Sequence, residues 1–138
     1  MDLIIDANIL ISAIIATKGK TCELLFSEKL NLFAPELLLK EFYEHKEEIL
    51  RKSQLSEEEL ESALSIIFSR IKFVSFTEFE SFISKAENIC PDPKDTEYFA
   101  LALKFDYAIW SNDKELKKQD FIKVISTPEL LDTLISLK

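Results

Sequence analysis

The chain opens on an uninterrupted apolar run, Leu3-Ile4-Ile5, that stops at Asp6. A second apolar stretch follows from Ile9 to Ala16, broken only by Ser12. A short run with no polar alternation suits a central strand of a parallel sheet, buried on both faces, and the longer stretch predicts a helix. Thr17-Lys18-Gly19-Lys20 carries the only glycine and ends that helix; Thr21 is a candidate cap for the next, with Leu24, Leu25 and the Cys22 and Phe26 pair at helical spacing. Asn31 to Ala34 predicts a second strand. Pro35 then opens a helix to about Lys52, with Leu38, Phe42, His45 and Ile49 on one face. Ser56 and Glu59 have the spacing of a capping box before Leu60, Leu64, Ile67 and Phe68, and Phe73 to Phe76 predicts a third strand.

Thr77 and Glu80 repeat the capping-box spacing and predict a helix to about Asn88, before an extended loop at Cys90-Pro91-Asp92-Pro93. Asp95 to Leu103 predicts a helix, and Tyr107 to Trp110 a fourth strand halting at Ser111-Asn112-Asp113. Lys123 to Ile125 predicts the last strand, and Thr127-Pro128-Glu129 caps a final amphipathic helix. Strands alternating with helices imply an α/β fold, a parallel sheet covered on both faces. No repeat, low-complexity tract or linker divides residues 1–138, so one domain is expected.

Composition narrows the function classes. The sequence is 47% apolar and 30% charged, which excludes a disordered chain, and no run of about 18 uncharged apolar residues offers a membrane span. Met-Asp-Leu-Ile-Ile-Asp lacks the basic region of a signal peptide, so a cytoplasmic location is expected. Cys22 and Cys90 have no metal-type spacing and are expected to be buried, reduced thiols. With 17 basic and 25 acidic residues the net charge is −8, which argues against gripping nucleic acid by a broad basic face. That objection weakens if several carboxylates converge, because divalent cations would cancel the local charge and attract phosphate.

Ligands of parallel α/β sheets bind outside the carboxyl ends of the strands, and the two clearest strands here end on Asp6 and Asp113. If those strands are neighbours, the two acids meet. Either aspartate alone is better explained as a helix cap or loop acid. Asp95 opens a helix, where the dipole favours an acid, yet the helix behind it is too apolar from Tyr98 to Leu103 to be solvated, and Asp92 lies three residues earlier. Glu41, Glu44 and Glu48 form a stripe whose spacing does not choose among them.

Four acids around one crevice repel one another unless cations lie between them, and hard oxygen ligands select Mg²⁺ or Mn²⁺ over zinc. The chemistry that follows is phosphodiester hydrolysis, in which metal ions bind a phosphate oxygen, activate a water and stabilise the leaving oxygen. It needs no side-chain nucleophile, and the sequence has no G-x-S-x-G, Gly-rich phosphate loop or Cys/His zinc pattern. The single histidine, His45, is expected to pack or cap.

Asp6-Ala-Asn8, Pro35 to Glu41, Asp92-Pro-Lys-Asp95 running into Ala100-Leu-Ala-Leu103, and Ile109-Trp-Ser-Asn-Asp113-Lys-Glu-Leu116 together resemble the PIN domain, over nearly the whole chain. The likeness is to the small prokaryotic single-domain type that includes the VapC-like toxin ribonucleases of toxin-antitoxin pairs. It implies a three-layer α/β/α sandwich with a five-stranded parallel sheet, Mg²⁺ or Mn²⁺ as cofactor, RNA as substrate and an antitoxin protein as partner. On the family's acidic positions fall Asp6, Glu41, Asp95 and Asp113, which selects Glu41 from its stripe. Asn8 falls on a polar position placed to orient Asp6 or a water, with Ser111, Asn112 and Asp92 in support. Two departures stand out. The glycine common before the last acid is missing, and Glu115 is the one nearby candidate for a further acid, which bears on whether one or two metals bind.

For RNA contacts the candidates are Lys18 and Lys20 beside Gly19, Lys94 in the proline loop, and Lys114 with Lys117 and Lys118 after the fourth strand. Tyr98, Phe99, Tyr107 and Trp110 read as core rather than as a base-stacking platform, and the 11 phenylalanines as an aromatic core or a dimer surface. Homodimers are common in the resembled family, and nothing local marks an interface. A second expectation is a PIN-like module that binds RNA or protein without cleaving. A third, a phosphotransfer domain, is opposed by Asp6-Ala-Asn8, which breaks the D-x-D pattern.

Overall fold

Leu3, Ile4 and Ile5 are at most 1% exposed, as a strand covered on both faces requires. They belong to β1 (Asp2–Ile5), the middle of a sheet completed by β2 (Asn31–Pro35), β3 (Ile71–Val74), β4 (Ala108–Trp110) and β5 (Val124–Ile125). A computed structural model gives this fold and describes residues 1–136. All pairings are parallel, in the order β3-β2-β1-β4-β5. The chain therefore builds outward from β1 to one side, then returns to add β4 and β5 on the other. β1 and β4 flank the point where the winding reverses, and the crevice beyond their carboxyl ends is the favoured ligand position of such a sheet.

Helices α1 (Ala7–Ile15), α2 (Lys20–Leu25), α3 (Leu37–Glu44), α4 (Lys46–Ser53), α5 (Glu57–Phe68), α6 (Phe76–Phe79), α7 (Ile83–Ile89), α8 (Thr96–Phe105) and α9 (Thr127–Ser136) cover it in a three-layer α/β/α arrangement. On one side α8 lies against β1, β2 and β4 and is itself backed by α6 and α7; α1 packs with α2, α3 and α4. Among the described residues no helix is long and apolar enough to cross a membrane.

Several boundaries differ from the sequence expectation. Pro35 ends β2 rather than opening a helix: its missing N–H is bypassed because Glu36 N–H donates to the Val74 carbonyl and carries the ladder on. The helix expected from Pro35 to Lys52 breaks at His45 (φ −103°, ψ 12°), which leaves His45 exposed instead of packed beside Phe42 and Ile49. Gly19, not Thr21, precedes α2, and Ser126, not Thr127, caps α9 through reciprocal bonds with Glu129. The Thr77–Glu80 box does not form, since that segment is the short α6 and a 3₁₀ turn before α7. The Ser56–Glu59 box is present as expected. Cys22 and Cys90 are free and only half-buried.

The aromatic residues serve mostly as core. Phe42, Phe68 and Phe73 meet edge to face, and Phe33, Phe105 and Tyr107 form a second cluster, whereas Phe26, Phe76 and Phe121 are exposed. Arg70, just before β3, joins the α2–β2 connection to the sheet by donating to the carbonyls of Leu25 (3.1 Å), Ser27 (2.8 Å) and Leu30 (3.4 Å). Arg70→Met is expected to keep the aliphatic packing, strand those carbonyls and lower the unfolding free energy by about 2–3 kcal/mol. Urea denaturation measures it, and an unchanged midpoint would contradict this role.

Candidate active site

Asp6 stands where β1 gives way to α1, and this junction fixes both of its carboxylate oxygens. Oδ1 accepts the Ile9 N–H at 3.0 Å, the N-cap bond that starts α1. Oδ2 accepts the Ser111 hydroxyl at 2.5 Å across the β1–β4 boundary, where Ile5 pairs with Trp110. The same Ser111 oxygen accepts the Asp113 N–H at 3.1 Å, so a hydroxyl only 1% exposed couples the loop after β4 to Asp6. Asp113 in turn caps a 3₁₀ turn through the Glu115 N–H at 3.0 Å. The capping explanation of both aspartates is thus real, and the Ser111 hydroxyl links the two residues at one sheet end.

Two further acids come from the helices. Glu41 lies on α3, and its Oε1 accepts the Tyr98 hydroxyl from α8 at 2.5 Å. Asp95 closes the 3₁₀ turn Pro93–Asp95 that leads into α8. Asp6, Asn8, Glu41, His45, Asp95 and Tyr98 line one small pocket of about 70 Å³. A groove of about 870 Å³ shares the Glu41 and His45 wall and continues past Lys40, Glu44 and Lys94. A cleft of about 520 Å³ runs past Ser111, Asp113 and Lys114.

Burial and mutual repulsion dominate the electrostatics. Asp6 is pushed up to about 6, first by burial and then by the charges of Asp113 and Glu41, against the opposing bonds from Ser111 and Ile9. Asp95 is pushed up to about 7 by burial and then by Asp6, Asp92, Asp113 and Glu41. Glu41 is also raised, by burial foremost and by Glu44, while the Tyr98 bond, His45 and Lys94 pull it down. No ion pair among the described residues engages any of the four acids, and no hydrogen bond among them reaches the Asp95 carboxylate.

A divalent cation suits this donor set: hard oxygens, an unneutralised cluster, and one carboxylate without a donor. Among the described residues, however, no three His, Cys, Asp or Glu side chains stand close enough to ligate one ion, so ligation would require the acids to draw together.

The other expected residues sort by geometry. Asn8 is exposed on the pocket rim. Asn112 turns away, its Oδ1 accepting the Thr127 N–H at 2.7 Å, and so ties the loop after β4 to α9. Asp92 accepts the Lys94 N–H in its own turn and is not part of the pocket lining, though its charge is felt by Asp95. Glu44 lines the groove and not the pocket, and Glu48 pairs with Lys52. Lys94 and Lys114 line the two flanking spaces and Lys18 is exposed, while Lys20, Lys117 and Lys118 pair with Glu23, Glu129 and Glu115. Tyr98 and His45 were not expected at the pocket. A signal for Tyr98 exists, since it follows Asp95 by three residues on one helical face.

A model of the PIN domain matches residues 4–129. Among solved structures, VapBC2 from Rickettsia felis, crystallised bound to a DNA fragment from its promoter, is similar at a TM-score of 0.64 and 17% identity, covering 91% of this chain and 98% of that one. PAE2754 from Pyrobaculum aerophilum is similar at 0.65 and 16%, covering 99% and 90%. No curated protein matches the chain.

Proposed function

The chain belongs to the PIN-domain family, and from that premise we propose that it is a Mg²⁺- or Mn²⁺-dependent endoribonuclease whose site is built from Asp6, Glu41, Asp95 and Asp113. The observation that carries this reading is that Asp6, Glu41 and Asp95, from three distant segments, line one pocket at the sheet's switch point with no cationic side chain paired to them. Such an arrangement is costly for folding and has a natural use in holding cations.

In this reading Asp6 is the fixed member, since Ile9 and Ser111 leave its carboxylate little freedom. Asp95 and Asp113 complete the donor set from the loops before α8 and after β4. When bound, a divalent cation supplies Lewis acidity toward phosphate and lowers the pKa of water. In the same reading Asn8 on the rim orients Asp6 or a water, and Lys94, which lines the groove, and Lys114, which lines the cleft, meet the phosphates of a bound strand. The net charge of −8 then has a local reason, because part of it is the cation site. We read the protein as acting in the cytoplasm as the toxin of a toxin-antitoxin pair, on its likeness to the small prokaryotic members; an antitoxin would then be its protein partner.

Incubation with RNA and Mn²⁺ tests the reading. Cleavage that EDTA stops and that Asp6→Asn and Asp113→Asn lose is the expected outcome, and intact RNA or equal cutting by the variants would overturn it. A second reading, a PIN-like module that binds RNA or protein without cleaving, is favoured by the spacing of the acids beyond ligation distance. Calorimetry separates the two, since that module would take up no Mn²⁺.

A further inference from the structure

Glu41 stands in the wall between two spaces, the small acidic pocket and the large groove, and lines both. A glutamate side chain on a helix surface samples many rotamers, and holding one costs conformational entropy. α3 itself does not select the pocket: Leu37, Lys40 and Glu44 of the same helix line the groove, as does Lys94, and His45 just past its end lines both spaces. The contact that does select it comes from 57 residues away. Tyr98 lines the pocket and not the groove, is 1% exposed on α8, and donates its hydroxyl to Glu41 Oε1 at 2.5 Å. A tyrosine ring has only two rotatable bonds, and this one is held among core side chains of α8, so its hydroxyl is a fixed point.

We propose that Tyr98 is a positioning residue for the metal site: its buried hydroxyl holds the Glu41 carboxylate at the pocket rather than in the groove. The bond engages Oε1 and leaves Oε2 without a donor among the described residues, free to serve as a ligand. Ser111, just past β4, likewise fixes Asp6, whose two oxygens both accept a bond, so each of these acids is held by a hydroxyl from α8 or from the end of β4, elements that pack on β1. The inference rests on the metal-dependent reading above. The plain alternative is that Glu41 merely satisfies a buried hydroxyl.

A mutant cycle with Mn²⁺ affinity as readout separates these. Calorimetric titration of the RNA-free protein is made for the natural sequence, Tyr98→Phe, Glu41→Gln and the double variant, each first shown to be folded by circular dichroism. Positioning predicts that Tyr98→Phe weakens Mn²⁺ binding about tenfold, the loss typical of a residue that orients a ligand. It also predicts no further loss from Tyr98→Phe once Glu41→Gln is present, because the phenol then has no ligand to hold. A general structural role would weaken binding by the same factor in both backgrounds, and that result would overturn the inference. So would Tyr98→Phe binding like the natural sequence while Glu41→Gln binds weakly, a result that leaves the metal site standing. If the natural sequence takes up no Mn²⁺, the proposed function and this inference fall together.

Discussion

Asp6→Asn is expected to lower Mn²⁺-dependent RNA cleavage by about a hundredfold or more, about 3 kcal/mol in barrier height, since it removes both charge and an oxygen from the proposed site. The carboxylate currently accepts from two donors, Ile9 N–H and the Ser111 hydroxyl, one on each oxygen. Asparagine has one acceptor oxygen, so one of these donors loses its partner. If the amide oxygen keeps the α1 cap, the amide nitrogen meets Ser111, whose hydroxyl must rotate to accept it. Ser111→Ala provides the graded comparison: it keeps the charge but frees Asp6 Oδ2 and removes the acceptor of Asp113 N–H, and about a tenfold loss is expected. A quenched fluorescent RNA substrate measures both, with thermal melting to show that each variant is folded. An Asp6→Asn rate within about threefold of the natural sequence, less than 1 kcal/mol in barrier height, would remove Asp6 from the chemistry.

Asp95→Asn is expected to make the metal-free protein more stable at neutral pH. The Asp95 carboxyl is raised from 3.8 to about 7 in the folded chain, and Asp6 from 3.8 to about 6. Between about pH 4 and those values the folded chain keeps protons that the unfolded chain has released, so stability falls as pH rises through that window. Below it both states are protonated and the penalty vanishes. The amide that this substitution introduces would stay neutral at every pH, and no hydrogen bond to the carboxylate is lost with it. A gain of roughly 1–3 kcal/mol at about pH 7.5, discounted for the partial exposure of Asp95, should disappear near pH 4. Mn²⁺ should raise the melting temperature of the natural sequence, because a ligand that binds the folded state stabilises it, and should do so far less for Asp95→Asn. Thermal melts at the two pH values, with and without Mn²⁺, measure this. A variant that melts lower than the natural sequence at the higher pH would mean that Asp95 supports the fold rather than straining it.

The parts of this site that were legible in the sequence are those that local chemistry determines. An apolar run ending on Asp6, and another ending on Ser111-Asn112-Asp113, predict strands with acids at their carboxyl ends, and the β1–β4 pairing brings those ends together. Asp95 was legible from the excess of apolar residues behind it, now buried in α8. Glu41 was not separable from Glu44 and Glu48 by spacing, because what distinguishes it is a bond to a residue far along the chain.

The break at His45 was equally hidden. Glu44-His45-Lys46 contains neither proline nor glycine, so nothing local opposes a continuous helix, while the two halves that the break separates, α3 and α4, both pack against α1. Pro35 misled for the converse reason, since a proline suits the first turn of a helix as well as the end of a strand whose next N–H continues the ladder. Asn112 looked like part of the polar site, yet its carbonyl is spent on the first turn of α9.

If Asp6, Glu41, Asp95 and Asp113 hold a divalent cation, as proposed, a crystal of the protein soaked in Mn²⁺ will show it by anomalous scattering. The expected result is an anomalous peak bounded by these four carboxylates, with the acids drawn closer together than in the metal-free fold. Mn²⁺ peaks elsewhere on the protein with none at this sheet end would overturn the proposed site.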